Sequence, residues 1–245
     1  MEWGILWGAL GLFAGGVLKG AVGAGAPILG VPLLALVYGV PFAVSIFVLP
    51  NLLSNIWQAR AFRRHRAAPG FTWALAGAGA AGAGIGSFLL VSLPGEALMA
   101  GLACVVFVYI AMRVARPDWV LSRPLAARLV APVGVLAGIM QGAGGVSAPV
   151  SLTFLSAMRL ERLEFIATVS VFFAAMAAVQ LVALAGLGVL TPERAALSAL
   201  AVAPLFAGIP VGQWLARYIS RAAFDRLILV LLAAIALRLL WGALA

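Results

Sequence analysis

The chain predicts an all-α, polytopic integral membrane protein built from two inverted repeats, each a Gly/Pro-broken helical hairpin followed by three transmembrane helices. Three observations carry that expectation. Hydrophobic residues fill 65% of the 245 positions and charged residues only 9%, with a mean hydropathy of +1.16, which leaves too few polar side chains to cover a water-soluble globule. Apolar runs long enough to cross about 30 Å of hydrocarbon as helices recur along the whole length, without the alternating pattern of about 10 residues that marks a membrane barrel. A glycine-rich turn occurs twice inside such runs, as Gly20-Ala21-Val22-Gly23-Ala24-Gly25-Ala26-Pro27 and as Gly142-Ala143-Gly144-Gly145-Val146-Ser147-Ala148-Pro149. Hydrophobic segments interrupted at matching places in two halves point to a solute site, because unwound backbone there turns N–H and C=O groups inward.

The first element, about 3–38, breaks at the first turn. Pro27 suits the opening turn of a new helix, where a missing N–H costs little, and the glycines before it permit turn dihedrals. The arm after it, about 27–38, spans only ~15–18 Å at helical rise and is too short to cross unaided. Three long helices follow at about 41–62, 71–92 and 96–115, then a polar connection from Arg116 to Arg123. The second half repeats the order: a broken element over about 126–158 with its short arm at 149–158, then helices at about 163–186, 193–216 and 221–243. With one residue deleted, Gly11–Gly15 falls on Gly134–Gly138 and Gln58 on Gln180 in the register of the turns, and farther along the halves Gly82 and Gly86 match Gly208 and Gly212, and Arg113 matches Arg238. The expected units are therefore 1–115 and 124–245, joined by 116–123.

The net charge of +9 resides mainly in arginines of short loops, so it reads as topology and not as a nucleic-acid surface. Arg60, Arg63, Arg64 and Arg66 mark one cytoplasmic loop; Arg113, Arg116, Arg123 and Arg128 mark a second, two spans later. In the second half the counterpart of the first basic loop, Leu187–Thr191, is uncharged, whereas the counterpart of the neutral Ser92–Gly95 turn carries Arg217 and Arg221. This switch favours repeats of opposite orientation, with Arg238 as the exception; four spans per half with a kinked first helix and parallel repeats is the alternative. Glu2 with no basic residue before Lys19 does not resemble a secretory signal, so the first apolar segment is expected to stay attached. Cys104 is alone, which leaves no intrachain disulfide and no thiolate cluster, and reads as ordinary helix packing.

Lys19, the only lysine, directly precedes the first turn, and an ammonium in hydrocarbon costs on the order of 3 kcal/mol, so such a residue usually faces protein or a solute path. The competing reading is a side chain snorkelling to the interface. Its repeat partner is Gln141. The turns add Gly20, Gly23, Gly25, Gly144, Gly145 and Ser147, whose backbone N–H groups and adjoining short helices favour an oxyanion. Asn51, Ser54, Asn55 and Gln58 share a face of their helix, and Thr168, Ser170 and Gln180 lie on the equivalent helix. From these the expected substrate-binding set is Lys19, Gly20, Gly23, Gly25, Asn51, Asn55, Gln141, Gly144, Gly145, Ser147 and Thr168. Gly82/Gly86 and Gly208/Gly212 read as helix packing. Trp3, Trp7, Trp57, Trp73, Trp119, Trp214 and Trp241 lie mostly near span ends, as an interfacial belt would have them, and His65 sits in a basic loop. No acidic residue lies inside a span, and no catalytic set, metal cluster or cofactor motif is present, so no enzyme, metal or cofactor is expected.

The paired Gly-rich turns with Pro27 and Pro149, each followed by a polar-faced helix, resemble the sulfite exporter TauE/SafE family, also called the toluene sulfonate uptake permease family, over nearly the whole chain. The resemblance implies a multi-pass protein of the bacterial inner membrane, a secondary transporter of sulfur-containing anions such as sulfite, sulfonates, sulfoacetate or similar organic anions. The expected partners are a small anionic solute and the lipid bilayer, with self-association into a homodimer left open. Alternating access through relative movement of the repeats is the leading expectation; a passive anion channel and a membrane-embedded enzyme are its rivals.

Overall fold

The structure is a computed structural model that describes the backbone of residues 2–115, 120–218 and 221–244, with side chains from residue 8 onward except at 221–225 and 244. Arg116, Asp118 and Trp119, and the side chains of Trp3, Trp7 and Arg221, thus lie outside the described residues. Within them the fold is helical throughout: α1 Glu2–Val22, α2 Ala26–Tyr38, α3 Val40–Ala61, α4 Pro69–Ser92, α5 Gly95–Ala115, α6 Arg123–Gly144, α7 Ala148–Ala157, α8 Arg162–Gly186, α9 Pro192–Leu200, α10 Val202–Tyr218 and α11 Arg221–Leu244. Among the described residues seven segments are long and apolar enough to cross a membrane: α3, α4, α5, α6, α8, the α9–α10 pair and Arg226–Ala243 of α11.

Each broken element is a hairpin of one long and one short arm, and not a single kinked helix. In the first, Gly8 lies against Leu34, Gly11 against Leu33, and Gly15 against the Ala26 carbonyl, so α2 runs back along α1. In the second, the Leu121 N–H donates to the Ala157 carbonyl at 2.8 Å, which joins the open ends of α6 and α7. The short arms hold 13 and 10 residues, about 20 and 15 Å at helical rise, while α6 with 22 residues is long enough to cross alone. Both short arms begin with proline in the first turn, as the sequence requires.

α3 and α8 form the centre. In each, 61% of the most apolar stretch is buried, against 22% for α5 and 28% for α11, which line the outside. The two central helices run antiparallel, because Ser170 near the start of α8 donates to Gln58 near the end of α3 at 3.3 Å. The long arms pack on helices of the opposite half: α1 on α10 and α6 on α4. At both crossings the partners are glycines, Gly16 with Gly208 and Gly82 with Gly138, and a Cβ at any of these positions would strike a backbone carbonyl of the other helix. Such contact lets helices gain dispersion energy where lipid offers no hydrophobic driving force.

The ends of the bundle differ in charge. The 62–68 loop meets the start of α8, where the Ala67 N–H donates to the Thr168 hydroxyl at 3.0 Å, and Arg123 at the start of α6 is 3.9 Å from Glu164. Arg60, Arg63, Arg64, Arg66, Arg123, Arg159 and Arg162 therefore share one end. Arg194 lies at the other, beside the start of α3, with its guanidinium 5.6 Å from the Phe42 ring centre.

Two expectations change. The helix expected over about 193–216 is divided at Ala201, because Pro204 has no N–H to return to the Leu200 carbonyl. Cys104 is exposed on α5, a peripheral helix, and so takes no part in the helix packing expected of it. His65 is exposed in a short 3-10 turn, as its basic loop suggested, and Trp57, Trp73, Trp214 and Trp241 all face outward.

Candidate functional site

Lys19 stands in the last turn of α1, where the carbonyl end of the helix favours a cation. It is only 1% exposed, so its side chain does not snorkel to an interface. Its Nζ donates to Asn55 Oδ1 at 2.7 Å, and among the described residues no carboxylate lies within ion-pair distance of it. Burial of an ammonium is costly unless it is hydrogen-bonded and its charge compensated. Here the compensation comes from one amide oxygen and the helix end.

Asn55 is held in turn by α3. Its Nδ2 donates to Asn51 Oδ1 and to the Asn51 carbonyl, both at 2.8 Å. Pro50 shapes this stretch: without an N–H it cannot satisfy the Ile46 carbonyl one turn back. Ser198 of α9 takes that role, donating to Ile46 O at 2.8 Å while accepting from the Leu49 N–H at 3.2 Å. The polar face of α3 is thus anchored to the second half of the chain.

The second half contributes a neutral cluster. Ser147 Oγ donates to Gln141 Oε1 at 3.1 Å, and Gln180 Nε2 donates to the Gln141 carbonyl at 3.0 Å and the Gly142 carbonyl at 3.4 Å, so the end of α6 is tied to α8. Asn51, Gln141, Gly145 and Gln180 line one narrow gap, closed to a water-sized solute in this conformation and bounded on its apolar side by Val31, Val44, Phe47 and Val48. The gap joins α2 and α3 to α6 and α8, and so lies between the two halves.

Of the expected site residues, the structure brings Lys19, Asn55 and Asn51 into one hydrogen-bonded series and places Gln141, Ser147 and Gly145 on the other side of the gap. The turns themselves are not side by side. Gly23, with φ +91°, abuts Ile166, and Gly25 abuts Leu152, whereas Gly145, with φ +70°, abuts Val31 and Val44. Gly144 lies near Leu102, Gly20 packs on the Ile209 carbonyl, and Thr168 holds the 62–68 loop. Gly82, Gly86, Gly208 and Gly212 serve close helix crossing as expected. Gln180 and the apolar wall were not among the expected site residues. Val44, Phe47 and Val48 precede Asn51 by seven, four and three residues, the spacing of one helix face, and that periodicity was available in the sequence.

Among the described residues no group of His, Cys, Asp and Glu is arranged to hold a metal ion. The arrangement sets positive potential and amide N–H donors beside a narrow apolar gap, a chemistry that suits an anion once the gap opens. Comparison with known proteins agrees in kind. No curated protein and no solved structure matches the chain, whereas residues 7–239 match the sequence profile of Sulfite exporter TauE/SafE. With nearly the whole length matched, this membrane protein belongs to the sulfite exporter TauE/SafE family.

Proposed function

We propose that the protein is a secondary transporter that carries a small sulfur-containing anion, such as sulfite or a sulfonate, across the bacterial inner membrane, and that it is not an enzyme. The observation that carries this reading is Lys19: a fully buried cation without a carboxylate partner among the described residues, two amides away from a gap between the halves. Such a site gains a countercharge when an anion enters. The family supplies the chemical class of that anion.

The two halves then work as an inverted pair. Support comes from the antiparallel course of α3 and α8 and from the exchange of long arms, α1 onto α10 and α6 onto α4. The tip of the first hairpin approaches the arginine-rich end through Ile166, and the tip of the second approaches the opposite end through Val44. Rocking of one half against the other about the central gap exposes it to each side in turn. Purified protein reconstituted in liposomes tests the reading: preloaded sulfite should drive counterflow of labelled sulfite, and uptake should saturate. Unsaturated flux without counterflow would make the protein a channel, and no sulfite or sulfonate flux at all would remove the proposed cargo.

A further inference from the structure

We infer that Lys19 acts on the anion through Asn55 and Asn51, as a positioning residue, and that the Asn51 side-chain N–H₂ is the group that touches the anion. The inference rests on the sulfur-anion reading above and specifies how its site works.

Hydrogen-bond direction carries the argument. An ammonium has three donors and no acceptor, so the amide oxygen of Asn55 must face it, as it does at 2.7 Å. This fixes the otherwise ambiguous orientation of the Asn55 amide and sends its Nδ2 to the opposite side, where it donates to Asn51 Oδ1 and the Asn51 carbonyl at 2.8 Å. Asn51 Oδ1 is then occupied on the Asn55 side, and Nδ2 becomes the last donor of the series. Every bond in the series points away from Lys19, so each polarises the next toward donation.

Location gives the second half of the argument. Asn51 lines the gap between the halves, whereas Lys19 and Asn55 do not. Across it stands Gln141, whose Oε1 accepts from Ser147, which leaves its own Nε2 as a donor. When the gap opens, an oxyanion entering it would meet one amide donor from each half, with the positive charge one series of hydrogen bonds behind. The repeat itself shows why this is one-sided: in the register that places Gln58 on Gln180, Phe173 and Ala177 stand where the first half has Asn51 and Asn55, and Gln141 stands where it has Lys19.

A double-mutant cycle tests the inference, with sulfite titrated into folded, monodisperse protein in detergent: parent, Lys19→Met, Asn51→Leu and the double variant, with Asn51→Ala replacing Asn51→Leu if the latter fails to fold. Each single change should weaken sulfite binding by about tenfold or more, and the double variant should bind within about twofold of the Asn51 variant, because Lys19 has no route to the anion once Asn51 is gone. Lys19→Arg should restore most of the affinity, since a guanidinium is also a donor without acceptors. Losses that multiply in the double variant would show that Lys19 acts on the anion without Asn51, by contact or by its field through space, and would overturn the inference alone. A parent protein that binds neither sulfite nor a sulfonate would overturn the sulfur-anion reading and the inference with it.

Discussion

Gly145 and Gly23 hold backbone conformations that L side chains rarely adopt, at φ +70° and +91°, and both are crowded. A Cβ on Gly23 would stand 2.7 Å from Ile166 Cγ1, and one on Gly145 would stand 3.2 Å from Val31 and Val44. A left-handed conformation costs an L residue about 1–2 kcal/mol, and the neighbours' displacement adds to it. Gly23→Val and Gly145→Val should therefore lower the thermal midpoint in detergent and abolish transport, whereas Gly84→Ala, whose Cβ would rest 3.6 Å from Val179 Cγ1, should behave like the parent. Turn variants that transport normally would place the moving parts elsewhere. Single residues were legible in the sequence to different degrees. Lys19 and Asn55 were recognisable as polar groups in apolar helices, but their pairing was not, since 36 residues separate them and it is α2 and α10, each packed on both α1 and α3, that bring the two side chains together. Gly20 and Thr168 have neighbours in space that the sequence does not name, a carbonyl of α10 and the backbone of the 62–68 loop.

At the scale of elements, breaks follow the prolines. The two hairpin tips and the proline-led starts of α2 and α7 were readable because a missing N–H and a flexible glycine act locally, within one turn of chain. Whether each broken element folded back or merely kinked was not readable, since the deciding contacts are between turns that are distant in sequence, such as Gly8 with Leu34. The division of α9 from α10 was missed although Pro204 announces it: hydropathy is continuous across the break. Pro50 has a different outcome because another helix repairs it. Ser198 answers the orphaned Ile46 carbonyl, so α3 continues unbroken through the site. Ser198→Ala should leave that carbonyl unsatisfied in a low-dielectric interior and cost about 1–3 kcal/mol, seen as a lower thermal midpoint, and should weaken sulfite binding because Asn51 follows Pro50 directly. A thermal midpoint equal to the parent's would show that the carbonyl finds water or another donor.

For the whole molecule, the exchange of long arms ties the two halves together. Neither half owns a complete set of helix neighbours: α1 needs α10, and α6 needs α4. The glycines responsible were identified in the sequence as packing residues, but not their partners, because a small-residue motif states that a close approach occurs and not which helix approaches. The positive-inside rule predicts that the arginine-rich 62–68 end faces the cytoplasm, with Arg194 at the opposite end. Accessibility labelling of single cysteines in a Cys104→Ser background should find positions 64 and 217 on the cytoplasmic side and positions 95 and 190 outside. Opposite sides for 64 and 217 would sink the inverted pair and restore parallel halves. The central claim, that buried Lys19 supplies the positive potential for a transported sulfur anion, is tested most directly by the initial rate of labelled sulfite flux in liposomes carrying equal amounts of parent, Lys19→Met and Lys19→Arg protein. Removing a buried, hydrogen-bonded charge typically costs about 2–5 kcal/mol, so flux at low sulfite should fall by at least about tenfold in Lys19→Met and be largely retained in Lys19→Arg. Equal flux in Lys19→Met and the parent would contradict the account.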